Sequence, residues 1–180
     1  MNINPISSWK WHYNGKRKAL TLELDSQWIF ISPYCEKKLI PDIKKDTLFS
    51  EEHIDYYNQI YLSLAKQLNY SSVKLTQIAL NMTALKFFSL PIMPQSWHFK
   101  KQNHTIALEA GDVIHLENQE GELILSTIIE AKNYLLLLII DEETKKISGS
   151  RTLTQFNFIK VAHDRIKPMN ISCINQYKVI

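Results

Sequence analysis

Apolar and polar residues alternate at the start of this chain, and the period of the pattern changes twice before its end. Trp9, Trp11 and Tyr13 alternate with Lys10 and His12, the two-residue period of a half-buried strand. Asn14-Gly15 follows as a two-residue turn signal. Leu20, Leu22 and Leu24 then alternate with Thr21 and Glu23. Asp25-Ser26 is a second turn and Trp28–Ile31 a third apolar strand, so the first third predicts a three-stranded antiparallel meander. Pro33 and Pro41 punctuate a less regular link.

From Ser50 the period lengthens. Ser50 is placed as an N-cap, with Glu51 and Glu52 in the first turn, where the helix dipole favours acids. Ile54, Tyr57, Tyr61, Leu64, Ala65 and Leu68 recur at steps of three and four, one stripe of a helix. Asn69–Ser72 interrupts the pattern, and Ser71 or Ser72 caps a second helix. Its stripe is Leu75, Ile78, Ala79, Met82 and Leu85, and it ends before Pro91 and Pro94. A helical hairpin on a small sheet is a self-contained α+β unit.

Beyond Phe99 the runs are short and β-like: Ile106–Leu108, Val113–Leu116, Leu123–Ile129, Tyr134–Ile140, Phe156–Ala162 and Ile171–Ile180. Polar turns at Asn118–Gly121, Ala131–Asn133 and Asp141–Lys146 separate several of them, the pattern of a small antiparallel sandwich or barrel. Leu135–Ile140 lacks alternation, as a strand buried on both faces would. The predicted class is α+β, an N-terminal meander with a helical hairpin followed by a small twisted β-barrel-like domain. The boundary falls near residues 92–99, giving domains 1–92 and 93–180.

That junction is the string Met93-Pro94-Gln95-Ser96-Trp97-His98-Phe99. Pro94 fixes its own φ and pushes Met93 towards an extended conformation. On an extended chain Trp97 and Phe99, two apart, share a face, and both are expected to pack in a seam between the domains. Trp9, Trp11 and Trp28 are expected to fill a core.

Composition narrows the classes. The 180 residues are 45% hydrophobic and 22% charged, ordinary values for a globular protein. The net charge of +3 is mild, and the excess lies in residues 1–98, with 11 Lys/Arg against 8 Asp/Glu; the remainder is balanced at 10 against 10. Four tryptophans and eight tyrosines can form a stacking platform, which keeps a nucleic-acid-binding small β-barrel as the alternative reading. That mode also needs a basic groove, and the second half carries no net charge to build one. Cys35 and Cys173 lie far apart without metal spacing; a disulfide between them is one reading, and two free thiols in a reducing cytoplasm fit at least as well. Met1–Ser8 is short and polar, unlike a signal peptide, and the longest apolar run, Tyr134–Ile140, falls far below the roughly 20 residues that span a bilayer. A cytoplasmic protein is expected.

Catalytic chemistry is mostly missing. The six histidines, His12, His53, His98, His104, His115 and His163, contain no H-x-x-x-H pair. Four glycines build no phosphate loop on the known patterns, and there is no G-x-S-x-G elbow. Ser96 and His98 would share a face of a strand, but no acid is adjacent to orient the ring, so His98 is read as a structural hydrogen-bonding group. Asp164-Arg165 reads as a structural ion pair or turn. No catalytic residue, metal or cofactor is predicted, which points to a binding protein.

The same residues carry a resemblance. Ile3-Asn4-Pro5 and Trp9-Lys10-Trp11-His12-Tyr13, the meander with Leu22, Leu24 and Phe30, Pro41-Asp42, the Met93–Phe99 string, Gly111-Asp112 and Asp164-Arg165-Ile166-Lys167-Pro168 are together similar to the bacterial cell-division ZapC family. The Met93–Phe99 string is the specific part; the dipeptides are weak. The resemblance implies a non-enzymatic partner of the tubulin-like GTPase FtsZ, acting at the mid-cell ring, favouring lateral association of its filaments and lowering GTP hydrolysis. It implies an N-terminal α/β domain joined to a twisted β-barrel-like domain. Members of the family can carry lysines where this chain has Leu90 and Gln95, so other cations are expected here, with Lys86, Lys100 and Lys101 nearest in sequence. The expected partner surface includes Leu22 at the rim of an apolar pocket, Lys86 or Lys100 supplying charge to steer an acidic segment such as the FtsZ C-terminal tail, and Trp97 where exposed. The competing assignment of Leu20, Leu22 and Leu24 is to the core.

Overall fold

The structure is a computed structural model that describes residues 5–24, 28–103 and 107–169. The expected turn at Asp25-Ser26, the start of the Ile106–Leu108 run, His104, Cys173 and the strand at Ile171–Ile180 lie outside the described residues, as do Ile3 and Asn4. The fold is α+β and forms two compact units. The first takes the described residues up to Tyr61 together with Ser72–Pro91; the second takes Leu62–Ser71 and the described residues from Ile92 onward.

In the first unit the meander is present as β1 (Lys10–Asn14), β2 (Ala19–Glu23) and β3 (Ile29–Ile31). A two-residue strand, β4 (Thr47–Leu48), which sequence reasoning missed, pairs with the other side of β1, giving the order β3-β2-β1-β4. The first hairpin corrects the turn expectation. Asn14 stays in register opposite Ala19, so the loop has four residues. Asn14 Oδ1 accepts the N–H groups of Lys16 (3.1 Å) and Arg17 (3.0 Å), an Asx turn, and Lys18 rather than Gly15 takes the left-handed conformation. 

Trp11, Leu22 and Phe30 lie side by side across three strands, and on that face Trp9, Trp11, Leu20 and Leu22 are buried. Trp11 stacks on Phe49 at 6.0 Å and meets Phe88 edge-on at 5.6 Å. Leu22 is therefore a core residue: a pocket rim needs an exposed side chain, and this one is fully covered. Trp28 departs from expectation in the other direction. It precedes β3 at the sheet edge, where little covers it, and it is exposed.

The two helices are α1 (Glu51–Gln67) and α2 (Ser72–Phe88). All five predicted stripe residues of α2 are buried, and so are Thr76, Leu80, Asn81, Thr83 and Ala84, so this helix is covered nearly all round. On α1 the buried positions are His53, Tyr57, Ile60 and Leu64, while Ala65 is exposed and Ile54 half-buried. The stripe starts one residue earlier than the apolar pattern implied because His53 belongs to it. Its Nδ1 accepts the Ser50 N–H at 3.0 Å, the role a glutamate plays at the third position of a capping box. Its ring meets Phe87 edge-on at 4.1 Å. Tyr57 Oη donates to Thr76 Oγ1 at 3.3 Å and ties the two helices together.

The second unit is a five-stranded antiparallel sheet made of β5 (Val113–Glu117), β6 (Leu123–Ala131), β7 (Leu135–Ile139), β10 (Phe158–Val161) and β11 (Ile166–Pro168), in the order β10-β7-β6-β5-β11. A separate ribbon, which the sequence pattern did not predict, pairs β8 (Lys145–Ser148) with β9 (Arg151–Leu153), starting at the end of the turn read at Asp141–Lys146. The sheet is not closed into the expected barrel. β10 and β11 are both edges, and the main chain just before Phe99 occupies β10. One face is a continuous core of Ile114, Leu116, Ile124, Ile128, Leu137 and Ile159 with their neighbours, Phe99 among them. The end of α1 is held in this unit by Gln67, whose Nε2 donates to the Gly111 carbonyl (3.0 Å) while its Oε1 accepts the Val113 N–H (2.9 Å). Gly111 turns there at φ +92°, a conformation costly for any residue with a Cβ.

Burial holds the imidazoles of His53, His98 and His115 below the usual histidine range, and for His98 the nearby Arg151 charge adds to it. A depressed folded value means that the unfolded chain binds more protons below about pH 6.5, so this stability is complete above that pH and lost as pH falls towards the folded values. Urea midpoints should therefore decline between about pH 7 and 5, the range set by an ordinary histidine. His53→Phe should lower stability by about 1 kcal/mol at pH 7.5 through the lost cap and should flatten the decline. A midpoint independent of pH across that range would contradict the assignment.

Candidate functional site

The Met93–Phe99 string does not run as a strand. Gln95 N–H donates to the Lys160 carbonyl at 2.7 Å, and Ser96 Oγ accepts the Ala162 N–H at 2.8 Å. Both bonds lie on the outer edge of β10, so the string is a strap that satisfies an edge other chains would otherwise template. Ser96–His98 then forms a 3-10 turn, closed by Phe99 N–H to the Ser96 carbonyl at 3.1 Å. Three residues per turn replace the two-residue alternation, and the expectation for Trp97 and Phe99 fails at this point. Phe99 enters the core of the second unit, whereas Trp97 is 64% exposed and Met93 79% exposed.

The strap is fixed on both sides of Trp97. Lys100 N–H donates to the Glu117 carbonyl at 2.8 Å, Gln102 N–H to the Asp164 carbonyl at 2.8 Å, and Gln119 Nε2 to the Trp97 carbonyl at 3.1 Å. His98 is buried, and its Nδ1 is 3.0 Å from Ser148 Oγ on β8. Ser96 Oγ accepts from Ala162 N–H and His98 Nδ1 pairs with Ser148 Oγ, so no hydrogen bond joins Ser96 to His98 as a nucleophile–base pair would require. Asp164 and Arg165 sit in a 3-10 turn with Arg165 Nε 3.3 Å from Asp164 Oδ1, a structural contact.

The charges around Trp97 come from an unexpected place. Lys100 Nζ is held by Glu117 Oε1 at 2.7 Å, and that hydrogen bond keeps the Glu117 carboxyl below its usual range. Lys101 is 3.5 Å from Asp164. Lys132, Lys145, Arg165 and Lys167 also have carboxylate partners. Among the described residues of this unit, Lys66, Lys146, Arg151 and Lys160 have none. Arg151 Nη2 donates to Gln95 Oε1 at 2.6 Å, and Lys160 Nζ lies 5.5 Å above the exposed Tyr134 ring. A guanidinium from β9 thus stands at position 95, where the resemblance implies that other members can carry a lysine. It is 56 residues away along the chain, and only the β8–β9 ribbon, absent from the sequence reading, brings it there.

Of the predicted partner residues, Trp97 and Lys100 belong to the second unit; Leu22 and Lys86 belong to the first, where Leu22 is core and Lys86 half-buried on α2. Among the described residues no group of three or more His, Cys, Asp or Glu side chains could hold a metal ion, and no helix is long and apolar enough to cross a membrane.

Comparison with known proteins bears on the family. Residues 2–90 match the model described as cell-division protein ZapC, N-terminal, and residues 91–172 the one described as cell-division protein ZapC, C-terminal. The chain belongs to the ZapC cell-division family. It is similar to the cell division protein ZapC of Ferrimonas balearica, 38% identical over 168 residues that cover 93% of each chain. It is 33% identical to that of Shewanella woodyi, covering 96% of this chain and 94% of the relative, and 29% identical to that of Aeromonas hydrophila, covering 96% of each. The protein is thereby a cell-division protein, and the family is not named for an enzyme activity.

The strap makes opposite demands on two neighbouring aromatics. Phe99→Ala should cost roughly 3–5 kcal/mol of stability by opening a cavity, whereas Trp97→Ala should cost less than about 1 kcal/mol. Chemical denaturation of both variants measures this, and a Trp97→Ala loss matching that of Phe99→Ala would mean that Trp97 is packed.

Proposed function

We propose that this ZapC-family chain is a non-enzymatic cytoplasmic protein that binds FtsZ at the mid-cell ring, promotes lateral association of its filaments and slows its GTP turnover. The family match over nearly the whole chain carries this reading. The exposed Met93 and Trp97, on a strap whose Gln95 carries the Arg151 guanidinium, support it, since Trp and Arg are the residue types that dominate binding energy at protein interfaces. A ligand that prefers assembled filament to free subunits stabilises the filament by mass action.

The surface expected to take the tail was a groove rimmed by Leu22, and that side chain is in the core. We therefore assign the contact to FtsZ as a whole and leave the tail to a direct comparison of full-length and tail-less FtsZ. The nucleic-acid alternative finds little support, since six of the second unit's cations are matched to carboxylates.

Added to FtsZ and GTP, the protein should increase pelleted, bundled polymer and slow phosphate release. Trp97→Ala and Arg151→Glu should each weaken co-sedimentation roughly tenfold or more with the melting temperature nearly unchanged. Unchanged light scattering and turnover at excess wild-type protein would refute the function. Normal pelleting by both variants would move the contact elsewhere.

A further inference from the structure

Among the described residues no further strand pairs with the β3 edge of the first unit's sheet. β3 is the outer strand. Leu24 N–H donates to the Trp28 carbonyl and Ser32 N–H to the Leu20 carbonyl, with Phe30 opposite Leu22 between them. Residues 28, 30 and 32 therefore turn their main-chain groups towards β2, and Ile29 and Ile31 turn theirs outward. Those residues are also apolar and uncovered, with Trp28 56%, Ile29 51% and Ile31 43% exposed. Edge strands are ordinarily protected by charge, proline or a bulge. The strand is short, three residues that end ahead of Pro33, but between Trp28 and Ser32 there is neither a charge nor a proline.

One end of this edge is strongly basic. Lys16, Arg17 and Lys18 are exposed in the β1–β2 loop. The chain after β3 is drawn beside that loop, because Leu20 N–H donates to the Tyr34 carbonyl and Glu36 N–H to Tyr13 Oη at 3.3 Å. This adds the exposed Lys37 to the same end. Among the described residues these four cations have no carboxylate partner. At the opposite end Glu23 stands across from Ile29 and is exposed.

We propose that β3 takes up an extended segment of a partner protein, antiparallel like the rest of the sheet, with apolar β-branched residues at alternate positions and carboxylates at its N-terminal flank, next to the Lys16–Lys18 loop. Main-chain bonds to Ile29 and Ile31 supply affinity and the charge gradient sets direction. This surface belongs to the other unit from Trp97 and stands or falls independently of the FtsZ reading.

The test uses the full chain and a fluorescein-labelled peptide of alternating valine and threonine preceded by three aspartates. Fluorescence anisotropy should show saturable binding that weakens with salt, weakens at least tenfold for Ile31→Lys or Ile29→Lys, and weakens for the Lys16→Glu/Lys18→Glu double variant. Amide exchange at Ile29 and Ile31 should slow on binding. No saturable binding at millimolar peptide would overturn the proposal, as would equal binding of a peptide with lysines in place of the aspartates or unprotected Ile29 and Ile31 amides. A concentration-dependent dimer abolished by Ile31→Lys would give the edge to a second copy and overturn it as well.

Discussion

The strap on the β10 edge is the constraint from which the second unit's surface follows. Two bonds, Gln95 N–H to the Lys160 carbonyl and Ala162 N–H to Ser96 Oγ, hold it in place. Because these atoms sit on the outer side of β10, they leave no edge for β11 to close against, and the sheet stays open. Because the string must then turn from that edge towards the core, Ser96–His98 tightens into a 3-10 turn. Phe99 goes inward and Trp97 outward. A buried aromatic two residues after an exposed one is thus the geometric result of capping an edge and entering a core within five residues.

Electrostatics reinforces the same arrangement. In the second unit most cations are spent on nearby carboxylates, which fixes loops but leaves little field outside. Arg151 is different. It bonds a neutral amide, Gln95, so no carboxylate neutralises its charge on the strap. The first unit keeps its unpaired charge elsewhere, around the β1–β2 loop, beside an apolar sheet edge. The mild net charge of the chain therefore conceals two local surfaces, each combining exposed apolar residues with cations.

Where local pattern and tertiary environment agreed, the sequence was readable. The α2 stripe and the strands β1 and β2 are cases of this, since their apolar residues face a core at the period the backbone dictates, whereas on β3 only Phe30 turns inward. The family resemblance was readable as well, through the Met93–Phe99 string. Tertiary contacts decided the other outcomes. Period-two alternation gave the wrong side for Trp97, because a 3-10 turn had replaced the strand. Asn14 looked like a hairpin turn residue but caps a longer loop from within its strand. His53 did not register as a buried helix residue, because its role is to accept the Ser50 N–H while packing against Phe87. Arg151 could not be linked to position 95 without the β8–β9 ribbon, whose strands Lys145–Ser148 and Arg151–Leu153 carry little apolar signal of their own. Leu22 was legible either as rim or core, and its neighbours Trp11 and Phe30 settle it as core.

The central claim is that the strap presents Trp97 to solvent as the contact for FtsZ. Fluorine NMR of protein labelled with 5-fluorotryptophan tests it most directly, with the Trp97 signal assigned by a Trp97→Phe variant. In the free protein the Trp97 resonance should show a full solvent isotope shift between H₂O and D₂O while those of Trp9 and Trp11 show little. On addition of assembled FtsZ the Trp97 resonance should broaden or move while Trp9 and Trp11 keep their positions. A Trp97 resonance without a solvent shift, or one unmoved at saturating FtsZ, would contradict the account.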